Sequence, residues 1–215
     1  MRPTIVAVGG FASNTGKTTL VCELLRALPG WEAIKMTRGH YRSCGREPAA
    51  CCVSPLLGEA PRVLSGRGAT YADGKDTGRY WGAGASNVHW VISTDAQVRE
   101  GFETALSRVR ARGVIVEGNS FLKHAEADFM IMVARPDGLK VKPTARRVLD
   151  QVSALYVSQA GDLTEPTLVE NFLRGLRGES DFDRLLERVP VYTGESLASL
   201  VALVRAEHAE AAGQR

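Results

Sequence analysis

The chain has 215 residues, 44% of them apolar and 24% charged, with a net charge of +3. That length suits one α/β domain with a sizeable core, and so small a charge makes nucleic acid an unexpected partner. No apolar run approaches the ~20 residues that span a bilayer. A core strand is predicted to begin by residue 4, leaving no room for a signal peptide, so a cytoplasmic protein with reduced thiols is expected.

Thr4-Ile5-Val6-Ala7-Val8-Gly9 reads as a buried strand, and Thr19-Leu20-Val21-Cys22-Glu23-Leu24-Leu25 reads as a helix with Cys22 as buried filler. Between them, Gly10-Phe11-Ala12-Ser13-Asn14-Thr15-Gly16-Lys17-Thr18-Thr19 has the composition of a phosphate-binding loop, in the strand–loop–helix setting that such a loop needs. Gly16 lets the backbone approach phosphate, and the loop amides with the positive helix end cradle the anion. Lys17 is expected to reach the β- and γ-phosphates and the Thr18 hydroxyl to hold Mg²⁺. The predicted nucleotide-binding set is Gly10, Ser13, Asn14, Thr15, Gly16, Lys17, Thr18 and Thr19. Five residues separate Gly10 from Gly16 where the common motif has four, and Phe11 stands where a glycine is usual. This Gly-x5-Gly-Lys-Thr spacing resembles that of dethiobiotin synthetase.

Pro29-Gly30 ends the first helix, and Trp31-Glu32-Ala33-Ile34-Lys35-Met36 reads as the second strand. Lys35, Thr37, Arg38 and His40 then fall at the strand edge where ligands bind. Thr37 is a candidate for the Mg²⁺ shell and Arg38 for a phosphate contact. Residues 38–93 are rich in Gly, Arg, Pro and Cys and show little periodicity, which predicts a long irregular insertion forming a substrate or partner surface. Cys44, Cys51 and Cys52 lack the paired spacing of a zinc site, so free thiols are favoured over a metal centre. Lys75, Asp76 and Arg79 form a predicted patch for a second anionic substrate. Tyr80 and Trp81 either stack on a ring there or serve as local core.

Regular patterning resumes with a helix over 95–111, N-capped by Asp95, and the strand Val114-Ile115-Val116. Glu117 ends that strand at the ligand edge, where a carboxylate holds Mg²⁺ or orients an attacking group. Asp128 starts the next strand (128–134) and belongs at the opposite edge. A helix from Pro143 to about 152, a strand at 154–158, a helix at 165–176, a strand at 189–192 and a helix from Ser196 follow. The Asn-Lys-x-Asp signature for guanine is absent; Asp162 and the Tyr192–Ser196 segment are the candidate base contacts, which leaves GTP and ATP open. The alternation of strands and helices predicts a single domain over 1–215 with a three-layer P-loop NTPase fold: a mostly parallel sheet, helices on both faces and a long insertion after the second strand.

The chain resembles the B-protein family of molybdopterin-guanine dinucleotide biosynthesis. The likeness is carried by Thr15-Gly16-Lys17-Thr18-Thr19-Leu20, by Ala33-Ile34-Lys35, by Gly74-Lys75-Asp76-Thr77-Gly78-Arg79-Tyr80-Trp81-Gly82-Ala83-Gly84-Ala85 and by Val116-Glu117-Gly118. The resemblance implies a homodimer that binds GTP and Mg²⁺ and assists a partner enzyme in guanylylating molybdopterin. The dethiobiotin-synthetase-like spacing implies instead an ATP-dependent ligase or kinase acting on a small carboxylate, with Lys35 as a catalytic cation beside the transferred phosphoryl group. A third reading is a slow nucleotide switch that delivers a metal or cofactor, with the insertion bearing Cys44, Cys51 and Cys52 as its cargo or docking surface. The reacting residues expected throughout are Lys17, Lys35 and Glu117, with Thr18 and Glu117 on Mg²⁺.

Overall fold

A computed structural model describes residues 2–39, 56–158 and 166–213. His40, Cys44, Cys51, Cys52 and Asp162 lie outside them. In chain order the elements are β1 (Thr4–Gly10), α1 (Lys17–Ala27), β2 (Glu32–Arg38), β3 (Arg62–Ser65), α2 (Arg67–Thr70), α3 (Asp76–Gly82), β4 (Val88–Ser93) and α4 (Val98–Arg108). They continue with β5 (Gly113–Glu117), β6 (Phe129–Ala134), α5 (Pro143–Arg146), β7 (Ala154–Val157), α6 (Pro166–Leu176), α7 (Ser180–Arg188), β8 (Val191–Tyr192) and α8 (Leu197–Gly213).

The strands form one eight-stranded sheet in the order β3-β4-β2-β5-β1-β6-β7-β8. Every pairing is parallel except β3 with β4. Successive side chains of β1 point to opposite faces. Ile5 and Ala7 pack with Val98 and Phe102 of α4, Phe172 of α6 and Phe182 of α7. Val6 and Val8 pack with Leu20, Leu24 and Leu25 of α1, Tyr80 of α3 and Leu200 and Val204 of α8. Burial on both faces is why the central strands read as unbroken apolar runs. The three layers leave the carboxyl ends of β1, β2, β5, β6 and β7 along one edge, the usual ligand edge of such sheets.

The expectation of an irregular insertion fails over the described part of 38–93. Residues 62–65, 67–70, 76–82 and 88–93 form β3, α2, α3 and β4, and β4 is an interior parallel strand beside β2. Its polar residue His89 hides that burial from a pattern search. His89 is fully buried and Glu32 is 3% exposed. Glu32 Oε2 lies 2.7 Å from His89 Nε2, and Ser65 Oγ lies 2.9 Å from His89 Nδ1. These partners fit the tautomer in which Nε2–H donates to the carboxylate and the serine hydroxyl donates to Nδ1. The second carboxylate oxygen accepts the amides of Arg110 and Ala111, both at 2.8 Å. Burial alone would push the Glu32 carboxyl up, but the His89 bond and the two amides outweigh it and hold it below the usual carboxylate range.

Two boundaries also differ. The cap before α4 is Thr94, in a capping box with Gln97, and a 3₁₀ turn at Asp95–Gln97 precedes the helix proper. The helix expected from Pro143 stops at Arg146 and is followed by a separate 3₁₀ turn at Leu149–Gln151. Val148 leaves helical backbone (φ −123°, ψ 14°), and Val148, Leu149 and Val152 are all buried there, so packing overrides continuation of the helix. Asp128 sits as expected away from the ligand edge, its carboxylate accepting the Ile5 amide at 2.7 Å.

Candidate functional site

The loop from β1 to α1 is shaped by two left-handed residues. Gly16, immediately before the helix, has φ +86° and Asn14 has φ +57°. Asparagine tolerates that region better than other side chains, so Asn14 helps the longer loop turn into the helix. Gly10 is fixed for a different reason: a Cβ there would lie 2.5 Å from Thr15 Oγ1 and 3.0 Å from Lys17 Nζ. Its backbone is clamped by Asn119, whose Oδ1 accepts the Gly10 amide and whose Nδ2 donates to the Gly10 carbonyl, both at 2.9 Å. Nothing in the sequence reading selected Asn119; its one signal is its place two residues past Glu117. Lys17 Nζ donates to the Ala12 carbonyl at 3.1 Å, so the ammonium already arches over the loop. Burial holds its pKa below the ordinary lysine value; Glu117 opposes the shift, while Lys35 and Lys142 add to it. The first-turn amides of α1 have no partner within the helix and face this loop as anion donors.

Beside the loop lies a compact charge cluster. Glu117, 2% exposed, accepts from Lys35 Nζ at 2.5 Å and from the Thr18 hydroxyl at 3.0 Å, and it also accepts the Tyr80 phenol. Lys35 Nζ also lies 2.6 Å from Asp76 Oδ2. Burial disfavours the ionised Asp76, yet the Lys35 ammonium, with smaller help from Thr18 and Arg79, keeps its carboxyl below the usual range. Tyr80 is pushed well up by burial and by the Glu117 charge, so its phenol remains a donor. Thr18, Asp76 and Glu117 thus present hard oxygen donors around a point already stabilising one cation, the Lys35 ammonium. That donor set fits Mg²⁺, which favours carboxylate and hydroxyl oxygen.

The structure brings most of the predicted residues together and separates a few. Ser13, Asn14, Thr15, Gly16, Lys17, Thr18 and Thr19 surround one cavity of about 340 Å³ with Lys35, Asp76, Arg79 and Glu117. Arg79 donates to Thr19 Oγ1 at 3.0 Å, so Asp76 and Arg79 belong to the phosphate side and not to a separate patch with Lys75, which is exposed. Thr37 is turned aside, accepting the Trp90 indole N–H at 2.8 Å. Arg38 pairs with Asp95 at 2.9 Å and lines a second cavity on the far side of Lys17. Tyr80 and Trp81 act as local core: Tyr80 is fully buried, and the Trp81 indole donates to Thr70 at 2.9 Å. A third cavity, of about 460 Å³, runs from Gly16 past Tyr156 and Ser158 to Gly194 and Leu197. The largest one, about 850 Å³, lies apart, near α5 and α7. Two of its guanidiniums are engaged with carboxylates, Arg146 with Glu179 and Arg184 with Asp181, and it has no phosphate loop.

No protein-family profile matches the chain, and no curated protein matches it in sequence. Among solved structures, HypB from Helicobacter pylori in complex with nickel is similar at 16% identity with a TM-score of 0.54, over 97% of this chain and 88% of that one. The Zn(II)-bound YjiA GTPase from E. coli aligns at 14% identity with a TM-score of 0.40, over 90% of this chain and 58% of that one. The likeness to HypB, with the sheet order and the loop after β1, establishes the three-layer P-loop NTPase fold. No helix among the described residues is long and apolar enough to cross a membrane.

Proposed function

We propose that the protein binds GTP or ATP with Mg²⁺ and hydrolyses or transfers the γ-phosphate as an accessory of molybdopterin-guanine dinucleotide assembly, working as a homodimer beside a cofactor-biosynthesis enzyme. The observation that carries this reading is the convergence of Lys17 and Thr18 of α1, Lys35 of β2, Asp76 and Arg79 of α3 and Glu117 of β5 around one cavity. The loop amides and Lys17 bind the phosphates; Thr18, Glu117 and Asp76 are the residues that would hold Mg²⁺. When bound, that ion neutralises the β- and γ-oxygens. Lys35 supplies a preorganised positive charge beside the reacting phosphoryl group. Tyr80 fixes one carboxylate oxygen of Glu117, leaving the carboxylate oriented toward Thr18 and Lys35. The cavity reaching Tyr156 and Gly194 is continuous with the phosphate side through Gly16 and Thr19, and is the place for the nucleoside. The Gly74–Ala85 segment that carries the family likeness is the one that supplies Asp76, Arg79 and Tyr80, which supports the cofactor-assembly reading. Transfer to a small carboxylate remains the second reading, favoured by the cavity beyond Lys17.

Calorimetric titration with Mg²⁺ and GTP or ATP tests the nucleotide assignment directly: a saturable heat with one of them is expected, and none with either removes it. Glu117→Gln is expected to slow turnover roughly 100-fold, within the range by which a positioned carboxylate contributes, while nucleotide affinity changes little. Equal turnover in the variant and the wild type would take Glu117 out of the reaction.

A further inference from the structure

We propose that the cavity beyond Lys17 is a second subsite that binds the anionic group, a carboxylate or a phosphate, of a small second substrate. This rests on the nucleotide reading and names the kind of molecule that meets the triphosphate there. The cavity holds about 230 Å³ and is bounded by the loop after β1, the end of β2, the turn after β5 and the start of α5. That is below the roughly 300–1,000 Å³ of drug-sized sites, so it suits a compact molecule or one end of a longer one.

Its charge is one-sided. Among the described lining residues Lys17, Arg38 and Lys142 are cationic and none is a carboxylate. Among the described residues, the one acidic partner of the three outside the phosphate cavity is Asp95 on Arg38, and its side chain is 65% exposed. An exposed pair of that kind contributes little and leaves the guanidinium free to turn to a better acceptor. Lys142 is held in place by its backbone: its amide donates to the Phe11 carbonyl at 2.7 Å, which ties the segment before α5 to the phosphate loop. Among the described residues its ammonium meets only a neutral acceptor, Ser13 Oγ at 2.6 Å. Partial burial, followed by repulsion from Arg38 and Lys140, holds the Lys142 pKa below the ordinary value. Lys17, Arg38 and Lys142 line this one cavity. An anion entering between them would relieve that repulsion and gain charge-assisted hydrogen bonds. The hydroxyls of Ser120 and Thr144 line the same space and offer further donors. Because Lys17 borders both cavities, it is where the two occupants meet.

The test titrates malonate and, separately, orthophosphate into the full chain, with and without saturating ADP and Mg²⁺, and repeats both with Arg38→Met and Lys142→Met. Malonate represents an acceptor carboxylate and orthophosphate the released product, so the two arms separate the sources of the anion. At least one probe is expected to bind the wild type and to lose at least tenfold in affinity in each variant. ADP affinity in Arg38→Met should stay within about twofold, since that residue is outside the phosphate cavity. A wild type that binds neither probe, or variants that bind as well as the wild type, would overturn the subsite. Failure of ADP itself to bind would instead bring down the nucleotide reading, and this proposal with it.

Discussion

Replacing Lys17 with alanine is expected to weaken binding of the nucleoside triphosphate by about 100-fold and to leave the fold intact. Hydrogen bonds to charged groups contribute about 1.5–3 kcal/mol each, and each 1.4 kcal/mol is about tenfold in affinity, so one ammonium shared between two phosphates accounts for the loss. The loop amides remain and keep residual affinity. Stability should hardly change: the ammonium is desolvated, crowded by Lys35 and Lys142, and returns two neutral hydrogen bonds, to the Ala12 carbonyl and to Thr15 Oγ1. Calorimetry with Mg²⁺ and the triphosphate, beside a thermal melt of the same sample, separates the two effects. Undiminished affinity would end the assignment of this lysine; a collapsed melt would show that it serves the fold.

The second large effect lies at the other end of the sheet. Glu32→Ala is expected to cost about 3 kcal/mol of stability, since each buried donor left without its acceptor costs about 1–3 kcal/mol. It strands the Arg110 and Ala111 amides and the His89 ring at once, since the Glu32 and His89 side chains are 4% and 0% exposed. The same group sets a pH dependence. Its folded pKa lies below the unfolded value of 4.5, so its contribution is complete above that value and is lost as pH falls through the folded pKa. In that window the unfolded chain binds more protons, and stability rises with pH. Urea melts of wild type and Glu32→Ala between about pH 3 and pH 7 should converge at the acid end. A variant within about 1 kcal/mol of wild type at neutral pH would mean that the amides find other partners.

Much of this is legible in the sequence itself. The phosphate loop announces itself because backbone approach, a lysine and a hydroxyl must occur at set spacing between a strand and a helix. Glu117 was readable as well, since Val114-Ile115-Val116 fixes where the strand ends and therefore which edge the carboxylate occupies. The rest depends on long-range placement. Asp76 and Arg79 looked like a separate patch because nothing local says that α3 packs against α1 and presents them to Thr18 and Thr19. Tyr80 reads equally as a ring for stacking or as local core, and nothing local says that its hydroxyl is spent on Glu117. Asn119 and Lys142 escaped notice because their roles are set by the neighbours they meet, Gly10 in one case and Phe11 and Ser13 in the other. β4 was missed because a buried histidine interrupts the apolar pattern, and only its pairing with Glu32 makes that tolerable.

The short outermost strands have a consequence of their own. At one rim β3 has four residues, begins with the exposed Arg62 and follows Pro61, which has no amide hydrogen to offer. At the other rim β8 has only two residues. Among the described residues neither rim presents enough free backbone for a neighbouring molecule to extend the sheet, a common defence against runaway aggregation. Self-association through the described residues, where it occurs, would fall to side-chain surfaces, and mutations that block it should be sought on the helices and at the nucleotide end, not along the outer strands.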